Sequence, residues 1–123
     1  MVGQKALSLL ALARMGLPTP PAFILGAPLV QRIISGGAMT PDIVALLAAG
    51  VRHLERHTQR RLGDPSDPLL VAVRCSPLRP ALGLMRTVLN VGLDTGIAEV
   101  WARAARNPRF VQDCLRRLES SLK

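Results

Sequence analysis

Aromatic side chains are nearly missing from this chain of 123 residues: Phe23, Phe110 and Trp101 stand alone, and tyrosine is absent. A core built without them has to be filled by Leu, Val, Ile and Ala. The same scarcity weighs against sequence-tolerant binding of single-stranded nucleic acid, which relies on aromatic stacking platforms. Acids are few as well. Eight Asp and Glu stand against sixteen Lys and Arg, for a net charge of +8. Such an excess favours anionic partners: nucleotides, nucleic acid or acidic lipid surfaces. No zinc-finger spacing or recognition-helix motif supports nucleic acid, and most arginines fall on the polar faces of predicted helices, where a solvated basic face accounts for them. No stretch reaches the ~18 consecutive apolar residues of a membrane span. The apolar stretch after Lys5 breaks at Arg14 with no small-residue cleavage site behind it, so it does not read as a signal peptide. Cys75 and Cys114 are the two cysteines, without CxxC or metal spacing. They read as reduced, partly buried thiols of a cytoplasmic protein, able to bridge only if the fold brings them together.

What is present describes one globular domain over residues 1–123, with 49% hydrophobic and 20% charged residues and room for a modest core. There is no internal repeat and no low-complexity segment. A first amphipathic helix is predicted from about Gly3 to Met15, with Ala6, Leu9, Leu10 and Ala13 on one face. Gly16 suits a left-handed cap there, and Pro18 blocks continuation. After the stiff Leu17–Pro21 segment, Ala22 to Leu25 reads as a short strand. Pro28 to Ser35 reads as a second helix closed by Gly36-Gly37; no P-loop pattern follows that pair. Thr40 as N-cap, Pro41 and Asp42 open a third helix that runs to Gly63. Its apolar seam is Ile43, Leu47, Val51 and Leu54, helped by Leu46. His53 and His57 share a face at a spacing that can hold a metal, but no Glu follows His53 as HExxH requires, no third ligand is evident, and surface histidines are the simpler reading.

The run Leu69–Val73, with Pro68 ahead of it, reads as a strand buried on both faces. It ends in Arg74, a cation placed at the rim of a sheet, where ligands often bind. Reaching solvent or a neighbouring acid would satisfy Arg74 equally well. A loop with Pro77 and Pro80 follows from Cys75 to Leu84. Thr87 to Leu93 returns as a strand. Asp94 or Thr95 then caps a helix through about Ala105, with Ile97, Val100, Trp101 and Ala104 inward. Asn107 and Pro108 start the last helix, striped by Val111, Cys114 or Leu115, Leu118 and Leu122. Such stripes are read as core.

Three separated segments carry a family resemblance. Leu62-Gly63-Asp64-Pro65 leads through Pro68-Leu69-Leu70-Val71 to Val73-Arg74, and Gly83, Met85 and Thr87-Val88-Leu89-Asn90-Val91-Gly92 follow. Gly3-Gln4-Lys5-Ala6-Leu7 precedes Met15-Gly16-Leu17-Pro18-Thr19-Pro20-Pro21-Ala22-Phe23. Arg106-Asn107-Pro108-Arg109-Phe110 stands before Asp113 and Arg116-Arg117. Together, and in this order, they resemble the N-terminal nucleotide-binding part of pyruvate phosphate dikinase, whose members carry GGKGANL, LGLPVPPGF, GDPxNPLLVSVRSGA, MPGMMDTVLNLG and GNPRFAYDSYRRF. The related water dikinases share the Lys and the Arg but generally lack the GDP and DTVLNLG signatures.

The resemblance implies an α+β fold: a helix-rich, partial ATP-grasp N-terminal lobe with about four or five helices around a small β-sheet. It implies that Lys5 and Arg74 contact the phosphates of ATP. Lys5 at a helix start would let its ammonium and the free backbone N–H groups face one anion, and Arg74 would offer a planar fork. The family's phosphotransferase reaction makes phosphoenolpyruvate from pyruvate by way of a phosphohistidine. The family's Mg²⁺ carboxylates, histidine domain and pyruvate barrel correspond to nothing in this sequence, so catalysis by this chain alone is not expected and Mg²⁺ would come from elsewhere. Departures from the pattern fall at the site. Gln4 and Ala6 replace glycines, Cys75-Ser76-Pro77 replaces SGA, Ala81-Leu82-Gly83 keeps only the Gly of Met-Pro-Gly, and Arg86 reverses the charge of the acid before Thr87. Three readings follow: a nucleotide-binding fragment; a non-catalytic interaction or regulatory domain that kept the fold without the ligand; and a basic nucleic-acid binder, which the lack of motif disfavours. A lobe of a larger fold would also expose apolar surface suited to a homo-oligomer or a complementary dikinase chain.

Overall fold

The computed structural model describes residues 2–76 and 86–123. In chain order these form α1 (Gln4–Arg14), α2 (Ala27–Gly36), α3 (Pro41–Thr58), β1 (Val71–Arg74), β2 (Thr87–Val91), α4 (Thr95–Ala104) and α5 (Pro108–Leu122). The helix-rich α+β content is the one expected. Most of the loop expected from Cys75 to Leu84, with Gly83 and Met85 of the family pattern, lies outside the described residues. The described chain divides into two compact units. One takes the residues up to His57 together with Ser76; the other takes Thr58–Cys75 and Arg86–Lys123.

In the first unit α1 closes as the sequence predicts. Gly16 adopts a φ of 74°, which lets its N–H reach Ala13 O at 3.1 Å and that of Leu17 reach Leu12 O at 3.2 Å, the paired bonds of a left-handed helix stop. Along α3, Ile43 and Leu54 are buried, with Leu47 and Val51 half-buried. Leu46, placed with this seam from the sequence, is instead 52% exposed, because it lies one helical step off the stripe. Thr40 O accepts the first bond of the helix from Val44 N–H at 3.0 Å. The Thr40 hydroxyl donates to the Asp42 carboxylate. With Arg32 adding a second hydrogen bond, it holds the Asp42 carboxyl below the usual range. The helix stops at Thr58 and not at Gly63, since Gln59 already turns to a φ of 57°. The strand expected at Ala22–Leu25 is not formed. Phe23 lays its ring on α3 instead, so close to Gly50 that a Cβ there would lie 2.6 Å from the ring.

The second unit begins with a tight loop. Arg61 O accepts from Asp64 N–H at 3.3 Å and from Leu69 N–H at 2.9 Å. The Asp64 carboxylate receives the Ser66 hydroxyl at 2.6 Å and its N–H at 2.8 Å, which lowers the Asp64 pKa. β1 and β2 then pair antiparallel, Val71 with Val91, Val73 with Val88 and Arg74 with Thr87. The expectation of a strand buried on both faces fails. Burial is greatest at Pro68 and Leu69, before the strand begins, and Val73 is 52% exposed. A two-stranded ribbon packs one face on its helices, and the core takes Leu70, Val88 and Val91 while alternate residues turn outward.

The register of that ribbon slips between Val71 and Val73. Two residues of β2, Leu89 and Asn90, oppose Ala72 alone. This is a β-bulge, and Asn90 takes the left-handed conformation it requires, with a φ of 62°. Asparagine tolerates that region better than most residues. Its side chain donates to Cys114 O at 3.2 Å, tying the bulge to α5. Two residues on, Gly92 has a φ of 109°, and a Cβ there would stand 2.6 Å from Leu69 O.

Around this ribbon the core consists of Leu93, Ala98, Val111, Cys114 and Leu118. Asp94, one of the two residues expected to cap α4, does so by accepting from Ile97 N–H at 2.7 Å, and at the expected start of α5 Asn107 accepts from Phe110 N–H at 3.3 Å. The inward face of α4 is Ala98 with Ile97, Trp101 and Ala102, and Ala105 packs on the same core from the C-cap. Val100 and Ala104, assigned inward from the sequence, are exposed, because α5 packs against the small Ala98 and sets the phase. Leu122 is 71% exposed in the final turn of α5. Trp101 and Phe110 meet edge to face at 6.3 Å.

The bulge makes a graded outcome measurable. Asn90→Gly keeps the left-handed backbone and loses the bond to Cys114 O, at a cost of about 1 kcal/mol; Asn90→Ala loses both and costs roughly 1–2 kcal/mol more. Urea unfolding should rank wild type above Gly above Ala. The cysteines provide a second check. Both are free, Cys75 exposed and Cys114 buried, and burial pushes the Cys114 thiol up in pKa. A thiol reagent should therefore label one cysteine in the native protein and both in denaturant; two fast-reacting native thiols would contradict the packing of α5.

Candidate functional site

Lys5 is the second residue of α1, and the backbone beneath it is unusual. The helix starts on Gly3, which has extended torsions and no side chain to receive the first amides. Those amides need an acceptor. It comes from Ser76, 71 residues along the chain, whose Oγ accepts from Lys5 N–H at 3.1 Å and from Ala6 N–H at 3.4 Å. The seat is tight. Gly3 is buried, and a Cβ on it would stand 1.8 Å from Ser76 O and 2.5 Å from Ser76 Oγ. The sequence reading has these N–H groups facing an anion; in this structure the Ser76 hydroxyl oxygen accepts from both.

The side chains of the two predicted cations are unencumbered. Lys5 is exposed, as is Arg74 at the end of β1 beside its pairing partner Thr87. Among the described residues neither forms an ion pair. Lys5 belongs to the first unit and Arg74 to the second. The strand does deliver Arg74 to its tip, as expected, and the exposed Cys75 follows it. The residues that sequence reasoning missed are Gly3 and Ser76. The available signals were a glycine at a helix start and a serine shortly after a strand, neither of which names its partner.

His53 and His57 do stack on α3, with ring centroids 4.3 Å apart, and His57 Nδ1 lies 2.8 Å from His53 O. They border an open cleft of about 590 Å³ whose other walls include Leu9, Leu10, Ala13 and Phe23. Among the described residues no three His, Cys, Asp or Glu side chains gather to hold a metal, and no helix is long and apolar enough to cross a membrane.

No protein-family model matches the chain. Curated relatives do. Over 118 residues it is 36% identical to pyruvate, phosphate dikinase 2 of Zea mays, covering 95% of this chain and 13% of that protein. The pyruvate, phosphate dikinase of Clostridium symbiosum is 32% identical over 118 residues, covering 95% and 14%. The chloroplastic pyruvate, phosphate dikinase 1 of Oryza sativa subsp. japonica is 34% identical over the same length, covering 95% and 12%. The chain thus spans about 13% of the length of the relatives it matches, and across nearly all of its own length it is similar to one segment of the pyruvate, phosphate dikinases.

Proposed function

We propose that this chain is a nucleotide-binding segment of the ATP-grasp type, derived from a cytoplasmic dikinase-like phosphotransferase and not catalytic by itself. The observation that carries the reading is the continuous similarity to dikinases combined with two exposed cations, Lys5 and Arg74, at the motif positions. Both side chains fit a polyphosphate. The Lys5 ammonium is a compact charge with three donors, and the Arg74 guanidinium presents parallel N–H groups to two phosphate oxygens. Their work is to neutralise and orient the phosphates; ATP supplies the phosphoryl group, and a complementary chain or domain supplies the carboxylates for Mg²⁺. The α1 amides do not fit an anion while Ser76 holds them.

That last contact favours a second reading, a non-catalytic interaction or regulatory domain that kept the fold after losing the ligand. Calorimetric titration of Mg·ATP separates the two. Under the first reading wild type binds and Arg74→Ala weakens binding at least roughly tenfold, the loss of one charge-assisted contact. Absence of binding at millimolar ATP supports the second.

A further inference from the structure

We propose that His53 and His57 form a two-histidine chelate for a borderline divalent transition ion, Cu²⁺ most tightly and Zn²⁺ after it. Neither residue belongs to the motifs that resemble the dikinases, so the site is independent of the nucleotide reading.

Spacing puts both side chains on one face of α3, and the structure adds the geometry. The ring centroids stand 4.3 Å apart. Two imidazole nitrogens each ~2.0–2.1 Å from one ion set their ring centres about 4–5 Å apart, so a small rotation lets the pair share it. The protonation pattern is also set. His57 Nδ1 lies 2.8 Å from His53 O. A carbonyl oxygen can only accept, so Nδ1 carries the hydrogen and Nε2 keeps the free lone pair. A backbone carbonyl on the far nitrogen is a partner that orients metal-binding histidines and raises their basicity. Here the other member of the pair supplies it.

The surroundings select the ion. His57 is exposed and His53 half-buried, and both rings border an open cleft whose walls carry no carboxylate. Mg²⁺ and Ca²⁺, which need oxygen ligands, have nothing to hold them there. Imidazole suits Cu²⁺ and Zn²⁺, with Cu²⁺ the tighter. Arg52 and Arg56 of the same helix are exposed cations, which disfavour an ion held by charge alone. Among the described residues no third His, Cys, Asp or Glu joins the pair. Water therefore fills the remaining positions, and the bound ion is an exchangeable one. Bridging two successive turns also staples the end of α3, where the helix stops at Thr58. An ion that binds this folded turn and not the unfolded chain stabilises it by mass action.

The test titrates CuCl₂, ZnCl₂ and MgCl₂ into the full chain and into His53→Ala, His57→Ala, the double variant and Cys75→Ser. The last is included because the exposed Cys75 thiol is a competing ligand. Wild type and Cys75→Ser should bind Cu²⁺ more tightly than Zn²⁺ and ignore Mg²⁺. Either single histidine variant should lose at least roughly tenfold in affinity, because the second ligand of a chelate acts at high effective concentration. The double variant should lose little more, since the two sites act as a unit. Two measurements on wild type need no variant. Nitrogen NMR should show Zn²⁺ at His57 Nε2 with Nδ1 still protonated, and hydrogen exchange should slow in the last turn of α3. Single variants that keep wild-type affinity behave as independent surface histidines and overturn the proposal. Loss confined to Cys75→Ser, Zn²⁺ at His57 Nδ1, unchanged exchange in α3, or a wild type that binds neither Cu²⁺ nor Zn²⁺ overturns it as well.

Discussion

A helix cannot satisfy its own first amides, and α1 begins on a residue that has no side chain to help. Both halves of the solution depend on Gly3. The missing Cβ creates the need for an outside acceptor and also clears the space through which Ser76 brings its carbonyl and hydroxyl. A Ser, Thr or Asp at position 3 would cap the helix from within and shut out Ser76; an Ala would shut out Ser76 without providing a cap. The pair is thus coupled over 71 residues of sequence. It also decides the chemistry of the turn that carries Lys5, because two amides can be given to a hydroxyl or to an anion and not to both.

The second unit has its own controlling constraint in the bulge of β2. The motif Thr87-Val88-Leu89-Asn90-Val91-Gly92 is part of what makes this chain resemble the dikinases, and the structure accounts for its Asn and Gly without any ligand. Asn90 supplies a left-handed residue and a bond to Cys114 O; Gly92 passes over Leu69 O where a side chain has no room. These residues bind β2 to α5 and to the loop before β1. A recognisable motif here divides into scaffold, represented by Asn90 and Gly92, and exposed charge, represented by Arg74 at the end of the neighbouring strand.

Local chemistry was legible in the sequence. Asp94, Asn107 and Gly16 act within a few residues of where they stand, and each does what its type predicts. The stripes of α3 and α5 were legible for the same reason, since Ile43, Leu54, Val111, Cys114 and Leu118 are placed by helical period alone. Errors arise where a partner sets the answer. Leu69–Val73 is apolar enough for a strand covered on both sides, yet only its packing reveals that Val73 faces outward. Ala22–Leu25 has strand composition, but Phe23 is claimed by the bare backbone at Gly50. At the candidate site, position gave Lys5 and Arg74 their exposure, whereas the occupancy of the α1 amides depends on Ser76, which no local pattern connects to residue 5.

The acids sharpen the functional argument as much as the cations do. Asp42 is held by Thr40 and Arg32, Asp64 by Ser66, and Asp113 by Arg116 and Arg117, and each has its carboxyl lowered by those bonds. A carboxylate already serving a turn or an ion pair would have to surrender those partners to coordinate Mg²⁺, and among the described residues none is grouped with two further ligands. Lys5 and Arg74 carry no such commitments to an acid. The chemistry that these residues can direct at a polyphosphate is therefore cationic. Within the first unit the α1 amides are held by the neutral hydroxyl of Ser76.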